Sequence, residues 1–449
     1  MKENLSRMTK VIYGAGDLGF SLTTTIVGAY FLFFLTDVVG IQPAVAGIAI
    51  LVGRTWDYLN DPLIGHISDR TRTRWGRRRP FLLFGALPFA LAFMLMWYRP
   101  PFESQISLAI YYSVAYVLFD AAATFVYMPY FALTPELTED YDERTSLTSY
   151  RMFFSIFGSL LAFTIPMMII GTFTPESAAR VMLMAVIFGL ASALPLWLVF
   201  FNTREKEVYV SQEKPKMLAA LKAALKNRPF VFSAVIYLLT WVCMDILQTT
   251  LLFFIKYALH MEAQSDLLMA MIFVTAIIAL PFWEFTSRKI NKRVAYAFGI
   301  GFWAIVQIVL ITVGPNVSTP IVYFLCVMAG IGVSAAHVLP WSIIPDAIEW
   351  DEYKTGERHE GVFYSLITLM QKIASSIAIP LVGVMLELTH YQANASQQPQ
   401  SAVLGIRMLI GPIPAILLTI GIIFAIKYPL GREQFTSIVE ELQARREKA

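Results

Sequence analysis

Residues 43–67 read "PAVAGIAILVGRTWDYLNDPLIGHI". The two flanks, AVAGIAILVG and LIGHI, are as apolar as a membrane span. The middle, Arg54-Thr55-Trp56-Asp57-Tyr58-Leu59-Asn60-Asp61-Pro62, carries an arginine and two aspartates. Hydrocarbon offers no partner to a charge, so ionisable residues within spans are rare and mark ion or substrate paths. Either this stretch lies outside a membrane, or its carboxylates have a task.

The remainder of the chain decides between these. Of its 449 residues 57% are hydrophobic and 15% charged, with a mean hydropathy of +0.60. That apolar fraction is far above the usual value for a soluble domain. Apolar runs of about 20 residues, enough to cross ~30 Å of hydrocarbon, recur from end to end. The pattern predicts an all-α integral membrane protein with about twelve transmembrane helices. They fall at 11–36, 43–67, 80–98, 106–133, 147–172, 178–201, 229–256, 265–286, 292–313, 319–343, 362–388 and 403–428. A net charge of +3 gives no reason to expect nucleic acid. Cys243 and Cys326 both lie in apolar runs, which indicates neither a disulfide framework nor a metal cluster. No Walker A loop, HExxH motif or nucleophile elbow is present, so no enzyme and no cofactor is expected. The opening "MKENLSRMTK" has no apolar core, so no removable signal is expected either.

Lys and Arg set the orientation. The loop "SDRTRTRWGRRRP" (68–80) holds six arginines, and "SRKINKR" (287–293) holds four basic residues. Loops such as "GPNVSTP" and "TPESAA" hold none. The basic loops and both termini are therefore expected on the cytoplasmic side of an inner, plasma membrane. The acidic stretch "PELTEDYDER" (135–144) is expected to pair with the arginines of 68–79. Residues 202–228 form the one long charged linker. They separate a first six-helix half (1–201) from a second (229–428), with a short tail at 429–449.

The halves echo each other. "MPYFALTPE" (128–136) matches "LPWSIIPDA" (339–347), Glu143-Arg144 recurs as Glu357-Arg358, and Tyr150 as Tyr364. Such parallel six-plus-six repeats build the major facilitator fold, with substrate near mid-membrane between the halves. A shift of 219 residues lays Ser68 on Ser287 and Pro62 on Pro281, yet puts Asp57 on Ala276 and Asp61 on Leu280. The proline occurs twice and the charges once. An architectural need would appear twice, so the asymmetry points to function.

Asp57 and Asp61, spaced i,i+4, share one helix face, with Arg54 nearby. Pro62 has no N–H for the carbonyl of Tyr58, which leaves an oxygen close to the carboxylates. Two carboxylates and neutral oxygens suit Na⁺, and a buried carboxylate pair suits H⁺ equally. A plain Arg54–Asp57 ion pair between helices is the structural alternative, but it leaves Asp61 without a partner. Further polar residues lie at membrane depth. Asp17, in the glycine-rich "YGAGDLGF", would either tether backbone or meet substrate. Asp120 would face a cavity; Arg151 would reach either lipid phosphate or Asp120. Lys372 needs a carboxylate or an aqueous cavity, and His337 is either a core histidine or a site residue. Carboxylates, cations and an aromatic platform such as Trp341 suit a polyhydroxylated ligand.

These motifs resemble the glycoside-pentoside-hexuronide:cation symporter family over essentially the whole chain. The marks are "FLTDVVG" (34–40), "RTWDYLNDPLIG" (54–65), "TRTRWGRRRPF" (71–81), "YRMFFS" (150–155), "PDAIEWDEYKTGER" (345–358) and "KYPLGRE" (427–433). The resemblance implies a symporter in which Asp57 and Asp61 bind the coupling cation. It puts Tyr116, Asp120, Arg151, Thr368 and Lys372 at or beside the sugar site. The chain departs from the melibiose-carrying members at four places. A helix-1 Lys-Asp pair is replaced by Phe20 and Ser21, a cation-site threonine by Val117, and two tryptophans by Thr124 and His337. Asp17, Ser21, Thr124 and His337 thus join the substrate-site candidates. The loss of a hydroxyl at Val117 leaves Na⁺ and H⁺ both open. The expected activity is symport of a sugar or glycoside with a monovalent cation, by a protein working as a monomer in the bilayer. The family also includes lysolipid carriers, which form the alternative. A non-transporting sensor ranks last, because the tail after Pro429 is too short for a signalling domain.

Overall fold

The computed structural model describes residues 5–138, 141–205, 224–356, 360–431, 435, 437, 438 and 440–442. Glu357 and Arg358 of the repeat, and Lys206, Lys214, Lys216 and Lys222 of the linker, lie outside them.

The first half runs through α1 (Arg7–Phe33), α2 (Pro43–Arg70), α3 (Arg79–Met96), α4 (Gln105–Leu137), α5 (Tyr141–Ile170) and α6 (Ala178–Asn202). The second runs through α7 (Arg228–Phe253), α8 (Ser265–Lys289), α9 (Lys292–Thr312), α10 (Thr319–Thr355) and α11 (Glu360–Leu388). Its last helix, α12, is broken at Gly411 into Gln400–Ile410 and Pro412–Ile426. Among the described residues eleven helices are long and apolar enough to span a membrane. The helix that fails on composition is α2: at 28 residues it is long enough, but it carries the charged stretch.

Local chemistry sets several helix ends. Ser6 caps α1, its hydroxyl accepting the Thr9 N–H, and Asn227 caps α7 in the same way through Phe230. After Phe33 the first helix widens into a π-turn, Phe34–Val39, and stops at Gly40, whose φ of +87° suits glycine. The seventh helix widens at the equivalent place, Phe254–Ala258, so the repeat reaches backbone geometry.

Contacts divide the chain into two compact units. One comprises Met1–Gln212 with Met261–Ala270 and Ile379–Ala402; the other comprises Glu213–His260, Met271–Ala378 and Val403–Ala449. The division falls within the charged linker, but two segments of the second half group with the first. Close packing accounts for this: a Cβ on Gly383 would stand 2.5 Å from the Pro43 carbonyl oxygen.

In the first unit α1 packs on α5 and α6, α2 on α4, and α3 on α4 and α6. The second repeats part of this pattern: α9 packs on α10 and α12, and α12 on α7. The glycines of YGAGDLGF each admit a different neighbour. A Cβ at Gly14 would meet Tyr150 of α5, at Gly16 the ring of Tyr130 on α4, and at Gly19 the Ser192 carbonyl of α6. Helix ends repeat as well. Arg79 donates to the carbonyl of Phe200 at the end of α6, and Arg293 to that of Tyr428 after α12.

The arginine loop is anchored through its backbone. The backbone N–H groups of Arg77, Arg78 and Arg79 all donate to the carboxylate of Glu205, at 2.7, 2.8 and 2.9 Å. Gly76 (φ +103°) leaves room for that carboxylate, since a Cβ would stand 2.5 Å from it. Successive N–H groups at a helix start make a concave anion site, and here the chain fills it with its own acid. Within the acidic stretch, Glu143 bonds Lys10, at 2.8 Å, and accepts the N–H of Leu5. Glu139 and Asp140 lie outside the described residues. Glu205→Ala orphans three N–H groups and should cost on the order of 1–3 kcal/mol of stability. Thermal unfolding in detergent should show this, with Glu205→Gln, which keeps an acceptor oxygen, recovering part of the loss.

Candidate functional site

The charged stretch of α2 lies against α4, and the approach is close. A Cβ on Gly53 would stand 2.4 Å from the ring of Tyr116. Asn60, itself buried, reaches the backbone carbonyl of Asp120 through Nδ2 at 3.4 Å. Arg54, Asp57 and Asp120 lie near the Tyr116 hydroxyl. One turn further along α4, the Thr124 hydroxyl stands 3.5 Å from Asp57 Oδ1 and 3.3 Å from Asp61 Oδ1. Thr124 is 8% exposed. The result is a partly enclosed group of two carboxylates spanned by one hydroxyl. A hydroxyl hydrogen serves one carboxylate at a time, and its lone pairs remain available to a hard cation.

Thr124, a substrate-site candidate from the sequence, has its hydroxyl beside the two cation-site candidates. The signal was present in the sequence: Thr124 follows Asp120 by four residues, so both share a face of α4.

Arg151 faces neither Asp120 nor lipid. Its Nε donates to Asp17 Oδ2 at 3.0 Å, and its guanidinium lies 4.6 Å from the ring centre of Phe131. This buried pair ties α1 to α5. Ser21 gives its hydroxyl to the carbonyls of Leu18 and Asp17 and packs where a Cβ on Gly158 would strike it. Asp17, Ser21 and Arg151 therefore form an α1–α5 joint, apart from the α2–α4 group.

The second unit holds a neutral counterpart. The Tyr237 hydroxyl of α7 donates to Gln371 Oε1 of α11 at 3.1 Å. These residues stand 220 positions after Asp17 and Arg151 (17 to 237, 151 to 371), so the same joint recurs without charge. Around it gather aromatic rings. Trp341 meets Tyr237 edge-on at 5.2 Å, and His337 meets Trp241 edge-on at 5.5 Å. His337 is exposed, with Nδ1 3.0 Å from the Val333 carbonyl. The Trp241 Nε1 is buried with no hydrogen-bond partner. Thr368 and Lys372 share one face of α11 beside Gln371, Thr368 exposed and Lys372 half-buried. Sequence reasoning missed Tyr237 and Trp241, and left unassigned Asp245, which accepts from the Ser375 hydroxyl.

A family model described as MFS/sugar transport protein matches residues 12–432. The chain belongs to this family. It is 33% identical to an uncharacterized symporter of Synechocystis sp., over 99% of this chain and 98% of that one. It is 27% identical to sodium-dependent lysophosphatidylcholine symporter 1-A of Danio rerio, over 96% of this chain and 87% of that one. Among solved structures, the inward open xylose transporter XylE from E. coli aligns at a TM-score of 0.68 with 13% identity, covering 96% and 98% of the two chains. That likeness shows a shared fold. The protein is thus a multi-pass membrane transporter of the major facilitator superfamily.

The Asp17–Arg151 joint makes a direct energetic prediction. Removing one member of a buried ion pair strands the other, at a cost of about 3–5 kcal/mol. Asp17→Leu and Arg151→Met should each lower thermal stability sharply, and the double variant should recover most of the loss. Additive losses in the double variant would show that the two charges are not coupled.

Proposed function

We propose that the protein is a cation-coupled symporter whose cation binds at Asp57, Asp61 and Thr124, and whose solute is a sugar or glycoside. The observation that carries the coupling is the carboxylate pair one helical turn apart, spanned by one hydroxyl. Two like charges this close inside a membrane repel each other, and a monovalent cation or a proton relieves the repulsion. Carboxylate and hydroxyl oxygens are the donors that a hard ion such as Na⁺ takes. Thr124 restores the neutral oxygen whose absence at Val117 had left H⁺ on equal terms, and so favours Na⁺. The full-length relative named as sodium-dependent supports the same preference.

The solute reading rests on the cluster of the second unit. Tyr237, Trp241 and Trp341 offer rings on which the apolar face of a sugar stacks, while His337, Gln371 and the unpartnered Trp241 N–H suit its hydroxyls. Thr368 and Lys372 of the same unit add polar groups of the kind such a ligand uses, and Asp120 of the first unit is of the same kind. A lysolipid is the second reading. It is favoured by the Danio rerio relative's named substrate and by the stacked, exposed Phe153 and Phe157 on α5, which suit an acyl chain. By the positive-inside rule the arginine-rich 70–79 loop and both termini would face the cytoplasm of a plasma membrane.

Asp57→Asn or Asp61→Asn should abolish cation-driven accumulation while leaving some solute exchange. Normal accumulation by both variants would make the pair structural. Thr124→Val should weaken Na⁺ dependence about tenfold, and Thr124→Ser should restore it. For the solute, equilibrium binding of a nitrophenyl glycoside panel and of a lysophosphatidylcholine should be compared on wild type and Trp241→Ala. The sugar reading expects glycoside binding that Trp241→Ala removes. Lysolipid binding without any glycoside binding at millimolar concentration would replace it with the second reading.

A further inference from the structure

The motif "FLTDVVG" has no part in the cation or solute groups, yet its aspartate is among the most enclosed charges in the first unit. On α1, Thr24 is exposed; every residue from Thr25 to Val39 is then buried, and Gly40 is exposed again. A helix buried on all sides lies wholly inside protein. Part of the covering comes from late in the chain, in the two segments that group with this unit. The Tyr30 hydroxyl meets Met269 Sδ at 3.2 Å. A Cβ on Gly47 of α2 would stand 3.1 Å from the Pro380 Cα of α11.

Asp37 lies at the end of this covered stretch, 1% exposed. Its carboxylate accepts the Tyr391 hydroxyl at 2.6 Å, the Thr36 hydroxyl at 2.8 Å and the Asn394 N–H at 3.3 Å. Its backbone carbonyl accepts Asn394 Nδ2 at 2.6 Å. Asn394 holds a left-handed φ of +56° while doing so. Of the residues that donate to this aspartate, two are more than 350 positions away in sequence. Burial of a carboxylate is tolerated when hydrogen bonds replace its water. If the 391–394 segment withdrew, Asp37 would lose those donors and would have to be met by water. Withdrawal of the segment and wetting of this end of α1 are therefore one event.

We propose that Asp37, with Tyr391 and Asn394, forms a clasp that keeps this end of the transport path shut, and that the clasp must open for solute to pass there. The inference rests on the symporter reading, which needs the path to open at each face in turn. Asp37 is a positioning residue: it touches the groups neither of the cation nor of the solute. The π-turn at Phe34–Val39 belongs to the same device, since it carries Asp37 at the helix end.

The test uses the full chain with Cys243 and Cys326 replaced by alanine, reconstituted in sealed vesicles. Thr24→Cys places a thiol thirteen residues before Asp37, about 20 Å down α1. A membrane-impermeant maleimide is applied at the face where exposed Gln42, changed to Cys, reacts; that face marks the Asp37 end. With the clasp intact Thr24→Cys should react slowly there. Tyr391→Phe, Asn394→Ala and Asp37→Asn should each raise its rate at least several-fold, with the Na⁺-induced change in tryptophan fluorescence retained. Unchanged rates overturn the clasp. Faster labelling from both faces together with loss of the Na⁺ response also overturns it, since that marks a structural tie whose loss unfolds the protein. Asp57→Asn separates the two ideas: if it leaves the Na⁺ response intact the symporter reading fails, whatever the labelling shows.

Discussion

Hydrocarbon cannot solvate a charge, so each ionised group within a span must be met by the protein itself. That constraint organises most of what this chain buries. Arg151 is met by Asp17 and by aromatic faces, and Asp37 by a tyrosine and an asparagine from late in the chain. Outside the spans the same logic continues at helix ends, where Glu205 fills the N–H cradle before α3 and Glu143 holds Lys10. Asp57 and Asp61 are a pair of like charges on one helix. They lie side by side, and the shared hydroxyl of Thr124 is neutral. In the proposed reading, repulsion between two carboxylates in low dielectric is what gives a mobile cation its purchase on this helix pair.

The repeat sharpens the distinction between structure and function. The joint between the first and fifth helices of each half recurs at the same offset, as an ion pair in one half and as Tyr237–Gln371 in the other. The π-turns recur too, as do the arginines that close on the ends of α6 and α12. The α2 carboxylates have no second-half counterpart. A scaffold needs its joints twice, and a coupling site is needed once.

Much of the fold was legible in the sequence, because span length and apolar runs are local properties. Even α2 was readable as a long helix, although its charges keep it from qualifying as a span by composition. The joints were less so. Position on one helix follows from spacing, which is why Asp57, Asp61 and the face shared by Asp120 and Thr124 were within reach. Rotation of one helix against another is set by packing that no single segment encodes. Arg151 was therefore sought opposite lipid phosphate or Asp120 rather than Asp17. Glu205 and Tyr391 lie 126 and 354 residues from the groups they hold, and neither spacing nor composition marks such pairs.

Coupling between cation and solute is the central claim, and it is a statement about free energy. If Na⁺ raises the affinity for solute by some factor, solute must raise the affinity for Na⁺ by the same factor. The direct measurement is a titration of purified protein in both orders: solute at zero and saturating Na⁺, then Na⁺ at zero and saturating solute. The account predicts equal factors in the two directions and the loss of both in Asp57→Asn. Solute affinity that is independent of Na⁺ and of pH in the wild type would contradict it.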